Sequence, residues 1–262
     1  MPAPLRLAIL ECGDPPPQAA HTTGSYGAYF RALFARAVAP RALDAELSIT
    51  VHDVVTPTHP YPAPGSVDAV LLTGSKHDAF ADAPWILALV RYVRGLLLAA
   101  GPDAPVRVVG VCFGHQIVAR ALGAAVVRGA DGWEVGVVPV RLTGRGPAVF
   151  RDDGDGDGDG DKGLRIHQMH RDLVPALPAG AELLASTAAC RVQAFLVPGR
   201  ALAVQGHPEF TAPLAREILE TRRAAGVHSE ALYRSGLARA DLPHDGERIA
   251  RAFLRFMRGE GG

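Results

Sequence analysis

Along the first half of the chain the hydrophobic positions switch repeatedly between strand-like and helical spacing. "LRLAILEC" at residues 5–12 and "LSITVHDV" at 47–54 read as strands. Between them, "YGAYFRALFARAV" at 26–38 sets Tyr26, Phe30, Leu33, Phe34 and Val38 at helical spacing. "SVDAVLLTG" at 66–74 is an apolar run closed by glycine, as expected of a buried strand. "PWILALVRYVRGLLLAA" at 84–100 begins with proline, which suits a first helical turn because its missing N–H has no intrahelical partner there. "VRVVGV" at 106–111 then leads through Cys112 into a helix predicted over 114–122. This βαβαβ order predicts an α/β fold with an open, mostly parallel sheet and helices on both faces.

The second half changes character. The stretches 132–142, 164–170, 181–187, 190–197 and 200–207 are strand-like and separated by Gly/Pro turns, and two of them are expected to form a small antiparallel flap on the sheet edge. From Ala212 the pattern is helical, ending in "ERIARAFLRFM" with Ile249, Phe253 and Met257 on one face. There is no internal repeat and no convincing linker. The reading is one domain over 1–262 with a helical C-terminal extension at 212–262. The segment "RDDGDGDGDGDK" at 151–162 is expected to be a flexible, solvated loop. Asp153, Asp155, Asp157 and Gly158 fit the opening of a calcium loop, but its twelfth position would be Leu164 where a glutamate is required.

Composition narrows the function classes. Lys+Arg and Asp+Glu both number 27, so no global charge draws the chain to nucleic acid or to an anionic membrane. Neither partner is expected. Mean hydropathy is +0.11, and no stretch approaches the ~18 continuous apolar residues of a membrane span. The N-terminus lacks the basic and apolar regions of a secretory signal. Three cysteines without CxxC spacing disfavour a disulfide framework or a cysteine metal site. A cytoplasmic, reducing setting is the simplest expectation.

The chemistry concentrates in "GVCFGHQ" at 110–116. A nucleophile on a sharp strand-to-helix turn stands clear of the sheet, and small neighbours such as Gly110 and Gly114 let the backbone turn. The helix then aims its free N–H groups at the sulfur, favouring thiolate. The N–H of Phe113 is placed to hydrogen-bond an oxyanion. Cys12 and Cys190 lack that context and read as small buried hydrophobes. "AVQGHPEF" at 203–210 offers His207 as base and Glu209 as its orienter, directly after a strand. Gly74 and Ser75 in "LLTGSKHD" close another strand with a turn suited to oxyanion donors, while Lys76 and His77 could meet a substrate carboxylate but read slightly better as solvated loop residues. His167 and His170 in "HQMHRD" have H-x-x-H spacing but no third ligand in view, so neither metal nor cofactor is expected.

Together "GVCFGHQ", "QGHPE" and "TGS" resemble the class I (triad-type) glutamine amidotransferase family. "YGAYF", "TGSKHDAF" followed by "PW", "QMHRD" and "GHPEF" are most similar to its stand-alone group, which includes fungal GMP-synthase-like amidotransferases and plant γ-glutamyl peptidases. The resemblance implies a flavodoxin-like sheet, Cys112 as nucleophile, His207 as general base and acid, and Glu209 as its orienter. It places Gly74, Ser75 and Phe113 in the oxyanion hole. Gln116 and the segment with His170, Arg171 and Asp172 would hold the ends of a glutamine-like substrate. The implied reaction is hydrolysis of a γ-glutamyl amide, in glutamine or in a γ-glutamyl peptide, through a thioester. The family's common oxyanion loop is Gly-Gly-Pro, whereas this chain has Gly74-Ser75-Lys76, and no synthase domain follows Glu209. A glutaminase subunit feeding ammonia to a synthase partner in trans, and a non-catalytic regulatory scaffold, stay open as alternatives at this point.

Overall fold

The computed structural model describes residues 3–56, 61–63, 65–99, 106–152 and 163–260. The Asp/Gly segment 153–162, and with it the loop and calcium readings, lies outside the described residues. The first half comprises β1 (Leu5–Glu11), α1 (Pro17–Thr23), α2 (Tyr26–Val38), α3 (Leu43–Glu46), β2 (Leu47–Asp53), β3 (Ala69–Leu72), α4 (Pro84–Leu98), β4 (Arg107–Val111) and α5 (Phe113–Ala121). The second half continues with β5 (Val127–Arg128), β6 (Glu134–Leu142), α6 (Gly146–Val149), β7 (Leu164–His170), β8 (Asp172–Leu173), β9 (Glu182–Ser186), β10 (Ala194–Val197) and β11 (Ala201–Val204). Three helices close the chain: α7 (Ala212–Ala224), α8 (Glu230–Leu237) and α9 (Gly246–Arg258).

The main sheet runs β2-β1-β3-β4-β11-β10-β9-β6-β7. Its first five strands are parallel. From β11 onward each pairing is antiparallel, so the expected flap, β6 with β7, is reached through β10 and β9. A separate two-stranded antiparallel sheet joins β5 to β8.

Alternation along the central strands sorts the core into two layers. Leu7, Ile9, Leu71, Val109, Val111, Leu202 and Val204 face α2 and α9, where Phe30, Phe34, Phe253 and Met257 are buried against them. Ala8, Leu10, Val70, Leu72, Val108 and Ala203 face α4 and α5, packing on Leu89, Val93, Ile117 and Val118. Because both faces are covered, β3 is buried at every position, which is why its sequence is continuously apolar rather than alternating.

Element ends differ from the sequence reading in instructive places. The strand expected over 66–74 is only Ala69–Leu72, because Asp68 is occupied by the backbone and guanidinium of Arg6 and Thr73 begins the turn. The strand expected over 190–197 starts at Ala194, since Cys190 closes a turn with Thr187. Helix α1 carried no periodic signal that set it apart from a proline-rich loop. No helix among the described residues is long and apolar enough to cross a membrane.

Candidate active site

Strands β3, β4 and β11 are adjacent and parallel, with Leu72 opposite Gly110 and Val111 opposite Val204. Their carboxyl ends therefore release three turns at one edge of the sheet, the usual place for ligands in open α/β sheets. Those turns carry Gly74 and Ser75, Cys112 and Phe113, and His207 and Glu209 respectively. Sequence-distant residues meet because the strand order places them side by side.

Cys112 occupies the turn between β4 and α5 with φ of 53° and ψ of −103°, unusual for a residue with a side chain. Its N–H donates to the Val204 carbonyl at 2.9 Å, tying the turn to β11. The glycines around it answer to contact. A Cβ on Gly114 would lie 2.5 Å from the Leu72 carbonyl oxygen, and one on Gly110 would lie 2.6 Å from the Gly114 oxygen. Helix α5 thus presses its first turn directly onto β3 and β4. Its N-terminus points at Cys112, where the helix dipole favours a negative sulfur.

His207 is buried, and its Nδ1 lies 2.8 Å from Oε1 of the fully buried Glu209. The ring stacks on Phe210 at 3.9 Å between centroids, and its backbone N–H donates to the His167 carbonyl at 2.8 Å. A Cβ on Gly74 would lie 2.6 Å from His207 Cε1, so that glycine lets the oxyanion-side turn close against the imidazole. Burial works against a charged His207, yet the charges of Glu209 and Cys112 and hydrogen bonds to both push it up to about 10. The ring is therefore an imidazolium at neutral pH, held between Glu209 and Cys112. Tyr26 stands nearby with its phenol kept protonated by burial and then by the charge of Glu209.

These residues open into a cavity of about 670 Å³. Ser75, Cys112, Phe113 and His207 line it, as do all four residues expected to hold substrate, Gln116, His170, Arg171 and Asp172. Gly74 and Glu209 sit behind His207 rather than on the cavity wall. The Gln116 amide nitrogen donates to the Asp172 carbonyl at 2.9 Å and to Gln205 Oε1 at 3.1 Å, so it braces the cavity floor. The Asp172 carboxylate is bound by Arg128, which also reaches Asp78 at 2.9 Å across the mouth. Lys76 and His77, for which a substrate contact and a solvated loop were both open, are exposed and line the same cavity.

Several lining residues carried no sequence signal. Trp133 is covered by Arg222, 4.6 Å from its centroid, and by Arg171 at 5.3 Å. Burial pushes Arg222 down while the charges of Cys112 and Tyr26 push it back up, which places a cation within the field of the sulfur. Nothing in "ETRRA" separates Arg222 from its exposed neighbours. The two histidines of the H-x-x-H spacing part company: His167 packs on His244 and Phe210, whereas His170 meets Glu134. Cys12, Cys112 and Cys190 are all free and buried, and burial pushes the Cys12 and Cys190 thiols up to about 12.

Comparison with known proteins agrees with this geometry. Residues 62–222 match the family model of glutamine amidotransferase class-I. A glutamine amidotransferase-like protein of Schizosaccharomyces pombe is 32% identical over 96% of this chain and 98% of its own. Gamma-glutamyl peptidase 4 of Arabidopsis thaliana is 33% identical over 62% of this chain and 61% of its own. A glutamine amidotransferase crystal structure from Thermotoga maritima shares the fold, with a TM-score of 0.68, 21% identity and coverage of 97% and 96% of the two chains.

Proposed function

The chain belongs to the class-I glutamine amidotransferase family, and on that premise we propose that it hydrolyses a γ-glutamyl amide through a thioester on Cys112. The observation that carries the reading is the assembly of Cys112, His207 and Glu209 at one end of a cavity deep enough for a substrate. Sγ of the Cys112 thiolate attacks the γ-carbonyl carbon, and the carbonyl electron pair moves onto oxygen. The amides of Phe113 and of Gly74 or Ser75 hydrogen-bond that oxyanion. As it collapses, the C–N bond breaks and the His207 imidazolium gives its proton to the leaving nitrogen.

The neutral imidazole then takes a proton from water, whose oxygen attacks the thioester carbon. Collapse expels the Cys112 thiolate and leaves the γ-carboxylic acid, which loses its proton to solvent as glutamate, while the proton retained by His207 restores the starting ion pair. Glu209 keeps the ring oriented and charged throughout, as the acid of a triad does.

The cavity volume favours a γ-glutamyl peptide or conjugate over free glutamine. About 300–1,000 Å³ is the range that holds drug-sized ligands, well beyond the needs of one amino acid. The kinship to proteins named gamma-glutamyl peptidases supports the same choice. On this reading the substrate is a small molecule and no synthase partner is required. A reducing compartment such as the cytoplasm suits the free nucleophilic thiol.

The test is glutamate release by the purified chain from glutamine and, separately, from glutathione and other γ-glutamyl peptides. Cys112→Ser is the control, expected to lose at least about a thousandfold in kcat while keeping the native circular dichroism. Peptide turnover well above glutamine turnover is the expected outcome. Turnover of glutamine alone would move the assignment to an ammonia-supplying subunit, and activity surviving in Cys112→Ser would end it.

A further inference from the structure

Glu134 begins β6 and turns its carboxylate under the cavity floor. Oε1 accepts from the Thr187 hydroxyl at 2.9 Å, and Oε2 accepts from Gln193 Nε2 at 2.8 Å. The same Oε2 lies 2.9 Å from Nε2 of His170. On the far side of that ring, Nδ1 lies 3.1 Å from the Asp172 backbone oxygen. A carbonyl oxygen can only accept a hydrogen bond, so Nδ1 carries a proton. An ionised carboxylate can only accept as well, and Nε2 faces one. The Nε2 contact is bent away from the ring's N–H direction, so charge more than hydrogen-bond alignment holds it.

The surroundings agree with a single ion pair among neutral groups. Burial would raise the Glu134 carboxyl, but the hydrogen bond and charge of His170, with hydrogen bonds from Thr187 and Gln193, hold it below its ordinary value. His115, on α5, is pushed down to about 3 by burial and then by the charge of His170, which keeps it neutral. Cys190 stays a thiol, as burial and then the charge of Glu134 push it up. The donor atoms of Glu134, His170 and Cys190 all lie within 4.8 Å of one another, a spacing that also suits a zinc ion. Both Glu134 oxygens are already hydrogen-bonded, however, to Thr187 and Gln193.

We propose that Glu134 is a positioning residue that holds His170 as an imidazolium at the cavity floor, where its fixed charge binds the α-carboxylate of the γ-glutamyl group. This deepens the proposed hydrolysis and rests on it for the identity of the ligand. The geometry explains why a half-buried carboxylate stands behind a cavity that already contains three aspartates, Asp14, Asp78 and Asp172. Without Glu134 the ring would lose its second proton and turn its Nε2 lone pair to an empty hydrogen-bonding site.

The experiment combines nitrogen NMR of 15N-histidine-labelled protein with kinetics. His170 is identified by the resonance lost in His170→Gln. In the wild type both its nitrogens should carry protons at pH 7, and in Glu134→Gln the ring should become neutral. KM for glutathione should rise about tenfold in Glu134→Gln with kcat within about twofold, the mark of lost ground-state binding. Alkylation of Cys112 by iodoacetamide should keep its rate, and Glu134→Asp should recover part of the KM. A neutral His170 in the wild type, an unchanged KM, or one tightly held zinc per chain would each overturn the proposal. If the wild type turns over no γ-glutamyl substrate, the hydrolytic reading fails separately. Titration with free glutamate then decides the inference, since binding must shift the His170 resonance in wild type and weaken about tenfold in Glu134→Gln.

Discussion

At the scale of single residues, the site turns on the charge of His207. Glu209 lies 2.8 Å from its Nδ1 and is the largest of the charges that raise it, against a burial that would lower it. The imidazolium is needed to protonate the leaving nitrogen, so activity should fall as pH rises through the His207 value of about 10. Replacing Glu209 by glutamine removes the negative charge while keeping the shape. The folded-state pKa of His207 then drops, and the alkaline limb of kcat/KM should move to lower pH. A limb that stays in place in Glu209→Gln would mean that another group governs it. Cys112 is the second residue at this scale, because its φ of 53° holds the sulfur at the head of α5. Gly110, Cys112, Gly114, His207 and Glu209 could all be picked out in the sequence, since each belongs to a short local pattern with a mechanical reason. Arg222, Trp133 and Glu134 could not, because what marks them is contact across the fold.

At the scale of elements, the turn from β4 to α5 depends on backbone-to-backbone approach. A Cβ on Gly114 would stand 2.5 Å from the Leu72 carbonyl oxygen, an atom that belongs to a buried strand and cannot swing aside. Gly114→Ala should therefore cost about 1–3 kcal/mol and lower activity by displacing Cys112, as read from urea denaturation and glutamate release. Gly95 is the contrasting case: it lies within α4, is exposed, and has open space where a Cβ would stand. Gly95→Ala should stabilise the protein by about 0.5–1 kcal/mol with activity unchanged. If both variants shifted the denaturation midpoint in the same direction, the close-approach argument would be wrong. Long helices such as α2, α4 and α9 were legible from periodicity, while the two-residue strands β5 and β8 were not. They exist only because Val127 and Arg128 meet Leu173 and Asp172 beside the cavity.

At the scale of the whole molecule, the cavity is enclosed by parts from both halves of the chain. Asp14 and the three prolines after it, the turn after β3, the segment 169–172 and helix α7 all line it. Every group proposed for the reaction comes from this one chain. Glutamate release per molecule should consequently stay constant when the enzyme is diluted a hundredfold, measured with glutathione as substrate. A steep loss on dilution would point to a missing or shared component.

What the sequence determined by itself was local. Period changes announced the strands and helices of the parallel half, glycines flanking a cysteine announced the turn, and His-Pro-Glu announced its partners. What only the tertiary structure decided was adjacency. Strand order brought β3, β4 and β11 together, extended the sheet through four antiparallel strands, separated His167 from His170, and set Glu134 beneath the cavity. Adjacency of that kind rests on packing between residues far apart in the chain, and no short window of sequence contains it.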